Sequence, residues 1–268
     1  MTAPDRPAPD RPAPDRLAPE GPLRVARDGG VLVLTLNRPR KRNALDRSLT
    51  DALSAALDEL DDDPSLHVGI IAAEGPVFSA GTDLTESASP ATDRGGEYGL
   101  VRRRRTTPLI AAVDGPALGG GFELVLACDL VVAGAGARFG LPEVARGLVP
   151  TCAGLFRTPD RLPPTIAAEL VLTGDPIDAD RAHRVGLVNV LTEEGGALAG
   201  ARRLAERIGA NSPDAVSAAL RALHDARGPA EAAGWTATDL AIERMLRSPD
   251  VAEGVTAFFE RRPPRWFR

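Results

Sequence analysis

The stretch "DGPALGGGFELVLACD" (residues 114–129) places three consecutive glycines directly before an apolar run of helical length. Glycine loses more conformational entropy on folding than any other residue, and Ser, Thr, Asp or Asn would begin a helix better. Three glycines at a helix start therefore indicate a place where bare backbone is needed. The run that follows carries a carboxylate, Glu123, as its second residue.

The chain around this stretch alternates between apolar strands and amphipathic helices. Continuous apolar runs predict strands buried on both faces at "VLVLTL" (31–36), "HVGIIAA" (67–73), "PLIAAV" (108–113) and "DLVVA" (129–133). Between the first two runs, leucines recur at helical spacing and Asp46 is a suitable N-cap. After Thr151 helical segments follow one another with few strand signals. This order predicts an α/β core followed by a helical C-terminal part.

The first residues of the chain differ from the rest. Residues 3–20 repeat Pro, Ala, Asp and Arg and cannot bury enough apolar surface to fold, so we expect a disordered tail over residues 1–22. The N-terminus lacks the basic start and apolar core of a signal peptide, which predicts a cytoplasmic protein. No apolar run approaches the roughly 20 residues of a membrane span, so no membrane partner is expected.

Composition argues against two further classes of site. A net charge of -5 gives no overall attraction to nucleic acid. The two cysteines, Cys128 and Cys152, form no metal-type pair, and the three histidines are widely spaced, so no metal site is expected and both cysteines are predicted to be buried thiols. The basic run "RRRR" (102–105) is expected to be a solvated helix end.

Two backbone-rich loops are the strongest candidates for chemistry. "PVFSAGTDL" (76–84) and "ALGGGFEL" (117–124) each follow a strand and can present an unpaired N–H. Two such donors, one at a helix N-terminus, could stabilise an oxyanion. On pattern alone, a glycine-rich turn made for close packing is equally consistent. A third glycine-rich segment, "VVAGAGARFG" (131–140), has its third glycine one place late for a dinucleotide site and predicts a loop between two strands.

Six segments in the same order resemble the enoyl-CoA hydratase/isomerase family, the crotonase superfamily. They are "LNRPRKRNAL", "FSAGTDL", "AAVDGPALGGGFELVLACDL", "FGLPEV", "LTGDPIDADRAHRVGLVN" and "FFERRPPRW". The resemblance implies a spiral of ββα units over residues 23–200 and a helical region over 201–268 that oligomerises and completes the acyl-CoA site. It implies a trimer or a dimer of trimers. The substrate would be an acyl-CoA thioester, with coenzyme A as part of the substrate and no other cofactor.

The resemblance also assigns site residues. Thr82 and Gly120 would supply the two N–H donors of the oxyanion hole, and a side chain at Gly120 would occupy the space of the carbonyl oxygen. Glu123 and Glu143 fall where family hydratases carry their catalytic glutamates. Two carboxylates with separated pKa values can hold one water between them, one removing its proton and the other supplying a proton to Cα. The residues implied to contact the substrate or CoA are Arg38, Lys41, Ala44, Ala80, Asp83 and Leu84, with Arg38 and Lys41 near phosphates.

One segment departs from the family pattern. "VPTCAGLFR" places Thr151, Cys152 and Ala153 where smaller residues are common, and these are expected to crowd or polarise the acyl pocket. The leading function is addition of water to a 2-enoyl-CoA, and the alternative is an enoyl-CoA isomerase with Glu143 as proton shuttle. A non-catalytic CoA-binding protein or an RNA-binding relative belongs to another class. The RNA-binding alternative is disfavoured because Lys41 is the only lysine.

Overall fold

The computed structural model describes residues 21–83, 85, 86 and 88–267. The strands, in chain order, are β1 (Leu23–Asp28), β2 (Val31–Leu36), β3 (Val68–Ala73), β4 (Ala91–Thr92), β5 (Gly96–Glu97), β6 (Leu109–Val113), β7 (Pro116–Leu118), β8 (Leu130–Gly134), β9 (Arg138–Gly140), β10 (Ile177–Asp178) and β11 (Val190–Thr192). The helices are α1 (Arg47–Asp62), α2 (Gly120–Ala127), α3 (Gly154–Arg161), α4 (Pro164–Thr173), α5 (Ala179–Arg184), α6 (Ala197–Gly209), α7 (Pro213–Leu246) and α8 (Asp250–Glu260). Short 3-10 turns cover Pro39–Lys41 and Pro142–Arg146. The predicted tail lies outside the described residues up to residue 20, and so does Leu84.

Two sheets form the core of the molecule. The main sheet has the order β1-β2-β3-β6-β8-β11, in which only β1 is antiparallel to its neighbour. The smaller sheet has the order β10-β9-β7. Consecutive strands such as β6 and β7, or β8 and β9, lie in different sheets. In these two repeats one strand goes to each sheet before a helix or helical turn follows, as in the spiral of ββα units that the resemblance implies.

The main sheet is buried on both faces, as its apolar runs predict. On one face it packs against α1 in the larger core cluster. On the other face it packs against α6, through alternating residues of four strands and three alanines of the helix: Val33, Ile70, Ile110, Val132, Ala197, Ala201 and Ala205. All four strands predicted from these runs are confirmed, with their ends displaced by at most one residue.

Several local expectations are also confirmed. The carboxylate of Asp46 caps α1 by accepting a 2.9 Å hydrogen bond from the Leu49 N–H. The leucines of this segment are buried in the main core. Residues 135–137 form the loop between β8 and β9 that was predicted there. The short strands β7, β9 and β10 were not predicted. The division of the chain at residue 200 stays a prediction, although α7 and α8 supply helices after it.

The arginine run does not form a helix end, and that expectation is wrong. Its residues lie in a turn and an extended segment before β6, where Arg103 and Arg105 are buried while Arg102 and Arg104 are exposed. The buried guanidiniums need carboxylate partners, and the sequence places those partners far away along the chain. Arg103 donates to Asp61 at 2.8 Å.

Arg105 joins three elements through one carboxylate. It donates to Asp129 at 2.7 Å, and Asp129 also accepts from the Leu109 N–H at 2.8 Å. Nε2 of His224, on α7, lies 2.9 Å from the same carboxylate. Burial alone would raise the pKa of Asp129, but the Arg105 charge and these hydrogen bonds outweigh burial and hold its pKa well below the usual range. The ion pair thus ties β6, the end of α2 and α7 together.

None of the described helices is both long and apolar enough to cross a membrane. The location of the protein in the cell stays a prediction.

The Arg105 ion pair predicts a position-specific loss of stability. Arg105→Met leaves Asp129 buried without its guanidinium, so the free energy of unfolding should fall by about 3–5 kcal/mol. The adjacent Arg104→Met makes the same chemical change at an exposed position and should alter it by less than about 0.5 kcal/mol. Urea unfolding of both variants measures the difference. Equal effects would contradict the assignment.

Candidate functional site

Each of the three glycines at the start of α2 faces a different neighbour. A Cβ on Gly119 would lie 3.0 Å from Glu143 Oε1, and its φ of 54° is in the left-handed region. A Cβ on Gly120 would lie 2.4 Å from Tyr98 Oη, and one on Gly121 would lie 2.4 Å from the Ser79 carbonyl oxygen. Close packing on three sides therefore accounts for the glycines. At Gly120 the group that a side chain would displace is the Tyr98 ring.

The two predicted N–H donors come from adjacent loops. Gly81 has a φ of 90°, and a Cβ there would lie 3.0 Å from the Gly120 nitrogen, so Thr82, the next residue, begins close to Gly120. Among the residues that the structure describes, neither Thr82 N–H nor Gly120 N–H donates to a backbone acceptor. Their neighbours do donate, since Asp83 N–H bonds to Leu45 O at 2.9 Å and Gly119 N–H bonds to Gly140 O at 2.9 Å. The structure brings the two donors together and leaves them available.

Glu123 lies in the first turn of α2 and is buried. Its Oε1 accepts hydrogen bonds from the Cys152 N–H at 2.7 Å and the Gly154 N–H at 2.9 Å. Burial raises the pKa of Glu123 to about 7, although both hydrogen bonds act in the opposite direction by favouring the carboxylate. The carboxyl group is therefore held in one orientation and can take up or release a proton near neutral pH.

Glu143 lies in the turn Pro142–Arg146, with Oε1 beside Gly119. Its Oε2 is buried and has no hydrogen-bond partner among the residues that the structure describes. Burial and then the charge of Glu123 raise the pKa of Glu143 to about 8. The structure thus brings both predicted glutamates into one site. One is fixed by two backbone donors and the other has an unpartnered oxygen.

The segment that departs from the family pattern lies at this site. Cys152 supplies one of the N–H groups that hold Glu123, and its thiol donates to Ser89 Oγ at 3.3 Å. Burial raises the pKa of Cys152 to about 12, and the pKa of Cys128 likewise to about 12. Both are free and buried, so the prediction of buried thiols is confirmed. Crowding of an acyl group by Thr151, Cys152 and Ala153 stays a prediction.

Tyr98 is a site residue that the sequence reasoning missed. It is only 1% exposed, and Oη lies 2.7 Å from Thr82 Oγ1 and 3.0 Å from Ser89 Oγ. Burial raises the pKa of Tyr98 well above its usual value, so its hydroxyl stays protonated. The signal that could have drawn attention to it is its place as the sole tyrosine in a glycine-rich segment, "RGGEYGL" (94–100).

Arg38 is engaged inside the protein. Its guanidinium lies 2.7 Å from Asp46 and 3.2 Å from Asp83, and it also donates to the Ala44 carbonyl oxygen. These contacts tie the loop before Leu84 to the start of α1. They position the Thr82 loop, and contact of Arg38 with a CoA phosphate stays a prediction.

The other predicted CoA residues differ in accessibility. Lys41 is exposed at the end of a 3-10 turn, and Ala80 is half-buried with its N–H bonded to Arg42 O at 3.0 Å. Asp83 is buried and accepts from the Thr85 N–H at 3.1 Å. Leu84 lies outside the described residues. In the described part of the chain, no three His, Cys, Asp or Glu side chains are grouped as metal ligands.

Comparison with known proteins places this geometry in a family. A family model described as enoyl-CoA hydratase/isomerase matches residues 26–268. The chain belongs to the enoyl-CoA hydratase/isomerase family. A mevalonyl-coenzyme A hydratase of Aspergillus fumigatus is 40% identical over 245 residues, covering 88% of this chain and 91% of that protein. An enoyl-CoA hydratase of Mycobacterium tuberculosis is 38% identical over 253 residues, covering 90% of this chain and 95% of that protein.

The solved structures agree with this membership. The crystal structure of carnitinyl-CoA hydratase from Mycobacterium avium matches with a TM-score of 0.86 and 39% identity, covering 92% of this chain and 98% of that one. The predicted family, the crotonase-like α/β spiral with C-terminal helices, and the expectation of an enzyme of this superfamily are therefore confirmed. The roles of individual site residues stay predictions.

The raised pKa of Glu143 predicts how stability depends on pH. Between about pH 4.5 and 8 the folded state keeps a proton that the unfolded state releases, so the free energy of unfolding falls as pH rises. Glu143→Gln cannot ionise and escapes this loss. From pH 5 to 8 its stability relative to the wild type should therefore rise by at least about 1 kcal/mol. Urea unfolding across this pH range measures it, and two parallel curves would refute the assignment.

Proposed function

We propose that this chain adds water across the double bond of a 2-enoyl-CoA thioester. The proposal is carried by one observation: two buried carboxyl groups with raised pKa values lie beside two available backbone N–H donors. The names of its relatives support the same reaction type, since those described above are a mevalonyl-CoA hydratase, an enoyl-CoA hydratase and a carnitinyl-CoA hydratase.

The backbone donors would stabilise the charge that develops on the substrate. In this proposal the thioester carbonyl accepts from the N–H groups of Thr82 and Gly120. As the nucleophile adds to Cβ, electrons move onto that oxygen and form an enolate. Donors aimed in advance at such an oxygen typically contribute about 2.7–4 kcal/mol each to transition-state stabilisation. The partial positive charge at the start of α2 acts in the same direction.

The two glutamates would handle the protons. The charge of Glu123 raises the pKa of Glu143, so the two groups titrate as a pair. Near neutral pH the pair can hold one proton. The ionised glutamate removes a proton from water as the water oxygen bonds to Cβ. The protonated glutamate gives its proton to Cα. After the reaction the proton has moved from one glutamate to the other, and exchange with solvent restores the starting state.

Coenzyme A would enter as part of the substrate, with no separate cofactor. Lys41 is exposed and available to a phosphate. Ala80 lies two residues before Thr82, and Ala44 precedes Leu45, whose N–H donates to the Gly81 carbonyl oxygen at 2.8 Å. Because the guanidinium of Arg38 already contacts two carboxylates, we propose that Arg38 acts mainly by holding this segment in place.

An isomerase remains the second candidate, favoured by one specific contrast. Within the described part of the chain, the buried Oε2 of Glu143 has no partner, whereas Glu123 is fixed by two N–H groups. A single movable carboxyl group is sufficient to shuttle a proton between two carbons. In that case Glu143 alone would transfer the proton, and Glu123 would only hold the backbone of Cys152 and Gly154 in place.

We further propose that the protein is a trimer or a dimer of trimers. Large apolar side chains are exposed along the last two helices, at Leu223, Leu240, Leu246, Phe258 and Phe259. Such a surface is typical of an interface between subunits. Sedimentation velocity tests this proposal, and a stable monomer at micromolar concentration would contradict it.

Substitution of each glutamate decides between the two reactions. Gln keeps the size of Glu but cannot exchange a proton, so packing is preserved while acid/base function is lost. If water is added between two carboxyl groups, Glu123→Gln and Glu143→Gln should each lower hydration by roughly 10²–10⁴-fold. Turnover of a 2-enoyl-CoA and its 3-enoyl isomer by both variants measures this. A Glu123→Gln variant that hydrates as fast as wild type would rule out the two-carboxyl mechanism.

A further inference from the structure

Tyr98 lies against both residues that are proposed to hold the thioester carbonyl. A Cβ built on Gly120 would lie 2.4 Å from Tyr98 Oη, 2.7 Å from Cζ and 3.0 Å from Cε2, so the edge of the phenol ring rests on Gly120. On the other side, Oη lies 2.7 Å from Thr82 Oγ1. The ring therefore touches the backbone of one proposed donor residue and the side chain of the other.

The ring is fixed by the structure around it. Ser89 Oγ lies 3.0 Å from Oη and also accepts a hydrogen bond from the Cys152 thiol. The backbone N–H of Tyr98 donates to Pro90 O at 2.7 Å, which holds the residue at the end of the β4–β5 hairpin. Both polar ends of the residue are thus anchored to neighbouring segments.

The backbone of Tyr98 is strained where it holds the ring. Its φ of 56° is in the left-handed region, which an aromatic residue adopts at a cost in free energy. The next residue, Gly99, packs closely against α1, since a Cβ built on it would lie 2.9 Å from Thr50 O. Strain of this kind persists only where the surrounding structure imposes it. The ring itself is held beside Gly120 by its burial and by the contacts of Oη with Thr82 and Ser89.

A substrate carbonyl held by Thr82 and Gly120 would begin its acyl chain beside two residues that this ring touches. A fixed aromatic ring at that point limits the volume beside the carbonyl. We propose that Tyr98 is a specificity-determining residue that restricts the acyl group to a short chain. The inference rests on the proposed function, because it assumes that an acyl-CoA thioester places its carbonyl at Thr82 and Gly120.

Chain-length dependence tests the proposal. kcat/KM is measured for crotonyl-CoA, 2-hexenoyl-CoA and 2-decenoyl-CoA with wild type, Tyr98→Ala and Tyr98→Phe. Wild type should favour crotonyl-CoA over 2-decenoyl-CoA by at least about tenfold, since poor accommodation of even one methylene in a shaped pocket is worth roughly 10–200-fold. Tyr98→Ala should reduce that preference by at least about tenfold. Tyr98→Phe keeps the ring but frees it from Thr82 and Ser89, so it should give a smaller change in the same direction.

A matched control distinguishes an effect of the Tyr98 ring on the acyl group from a general loss of core packing. Leu57→Ala truncates a fully buried side chain of α1 in the main core. It should lower the melting temperature without altering the ratio of kcat/KM between the two chain lengths. An equal change of that ratio in Leu57→Ala and Tyr98→Ala would overturn the proposal, and so would a wild type that turns over all three substrates alike.

Binding distinguishes failure of this inference from failure of the proposed function. The Kd values of butyryl-CoA and decanoyl-CoA, which have no double bond to hydrate, are measured with the same proteins by calorimetry. If wild type prefers butyryl-CoA and Tyr98→Ala removes that preference, the role of Tyr98 is supported. If wild type then turns over no 2-enoyl-CoA, only the proposed reaction is wrong. Equal length dependence in wild type and Tyr98→Ala overturns the role of Tyr98. If Tyr98→Ala does not fold, Tyr98→Phe is used instead: a smaller weakening of the length preference supports the role of Tyr98, and an unchanged preference overturns it.

Discussion

The backbone at residues 119–121 packs against three neighbours at distances that leave no room for a side chain, and the site is built around this contact. Gly119 faces Glu143, Gly120 faces Tyr98, and Gly121 faces the loop that carries Ser79. Glycine within a helix costs roughly 0.5–1 kcal/mol relative to alanine. That cost is offset because the glycines let Glu143 and the loop that carries Ser79 pack directly against the start of α2.

The buried charged groups of the core form ion pairs, whereas the two buried glutamates of the site do not form them within the described residues. Arg103 and Arg105 are buried, but each forms an ion pair with a carboxylate. Glu123 and Glu143 are also buried, yet neither forms an ion pair within the described part of the chain, and the pKa of each is raised towards neutrality. Removing the cation from a buried carboxylate destabilises the fold, whereas buried carboxyl groups without a cation are suited to exchanging protons.

Long buried strands could be predicted from sequence because nearly every residue in them is apolar. β2 and β3 lie between two layers, so their composition alone identifies them. β7 and β10 have only three and two residues, and they exist as strands because β9 pairs with them. The positions of both glutamates followed from resemblance to a family, and their burial followed only from the tertiary structure. Tyr98 could not be found in this way, because its contact with Gly120 depends on the path of the β4–β5 hairpin.

The order of the main sheet carries a consequence for how the chain is made on the ribosome. From β2 to β11 each parallel strand lies beside the one synthesised before it, so the sheet can grow at one edge as the chain emerges. Its outer face, which includes Val33, Ile70, Ile110 and Val132, is covered by α6, and α6 is translated after all of these strands. The nascent polypeptide therefore carries an uncovered apolar sheet face until residue 209 leaves the exit tunnel. Transiently exposed apolar surface of this kind makes incomplete chains prone to aggregation, and α6 ends that exposure for this sheet face.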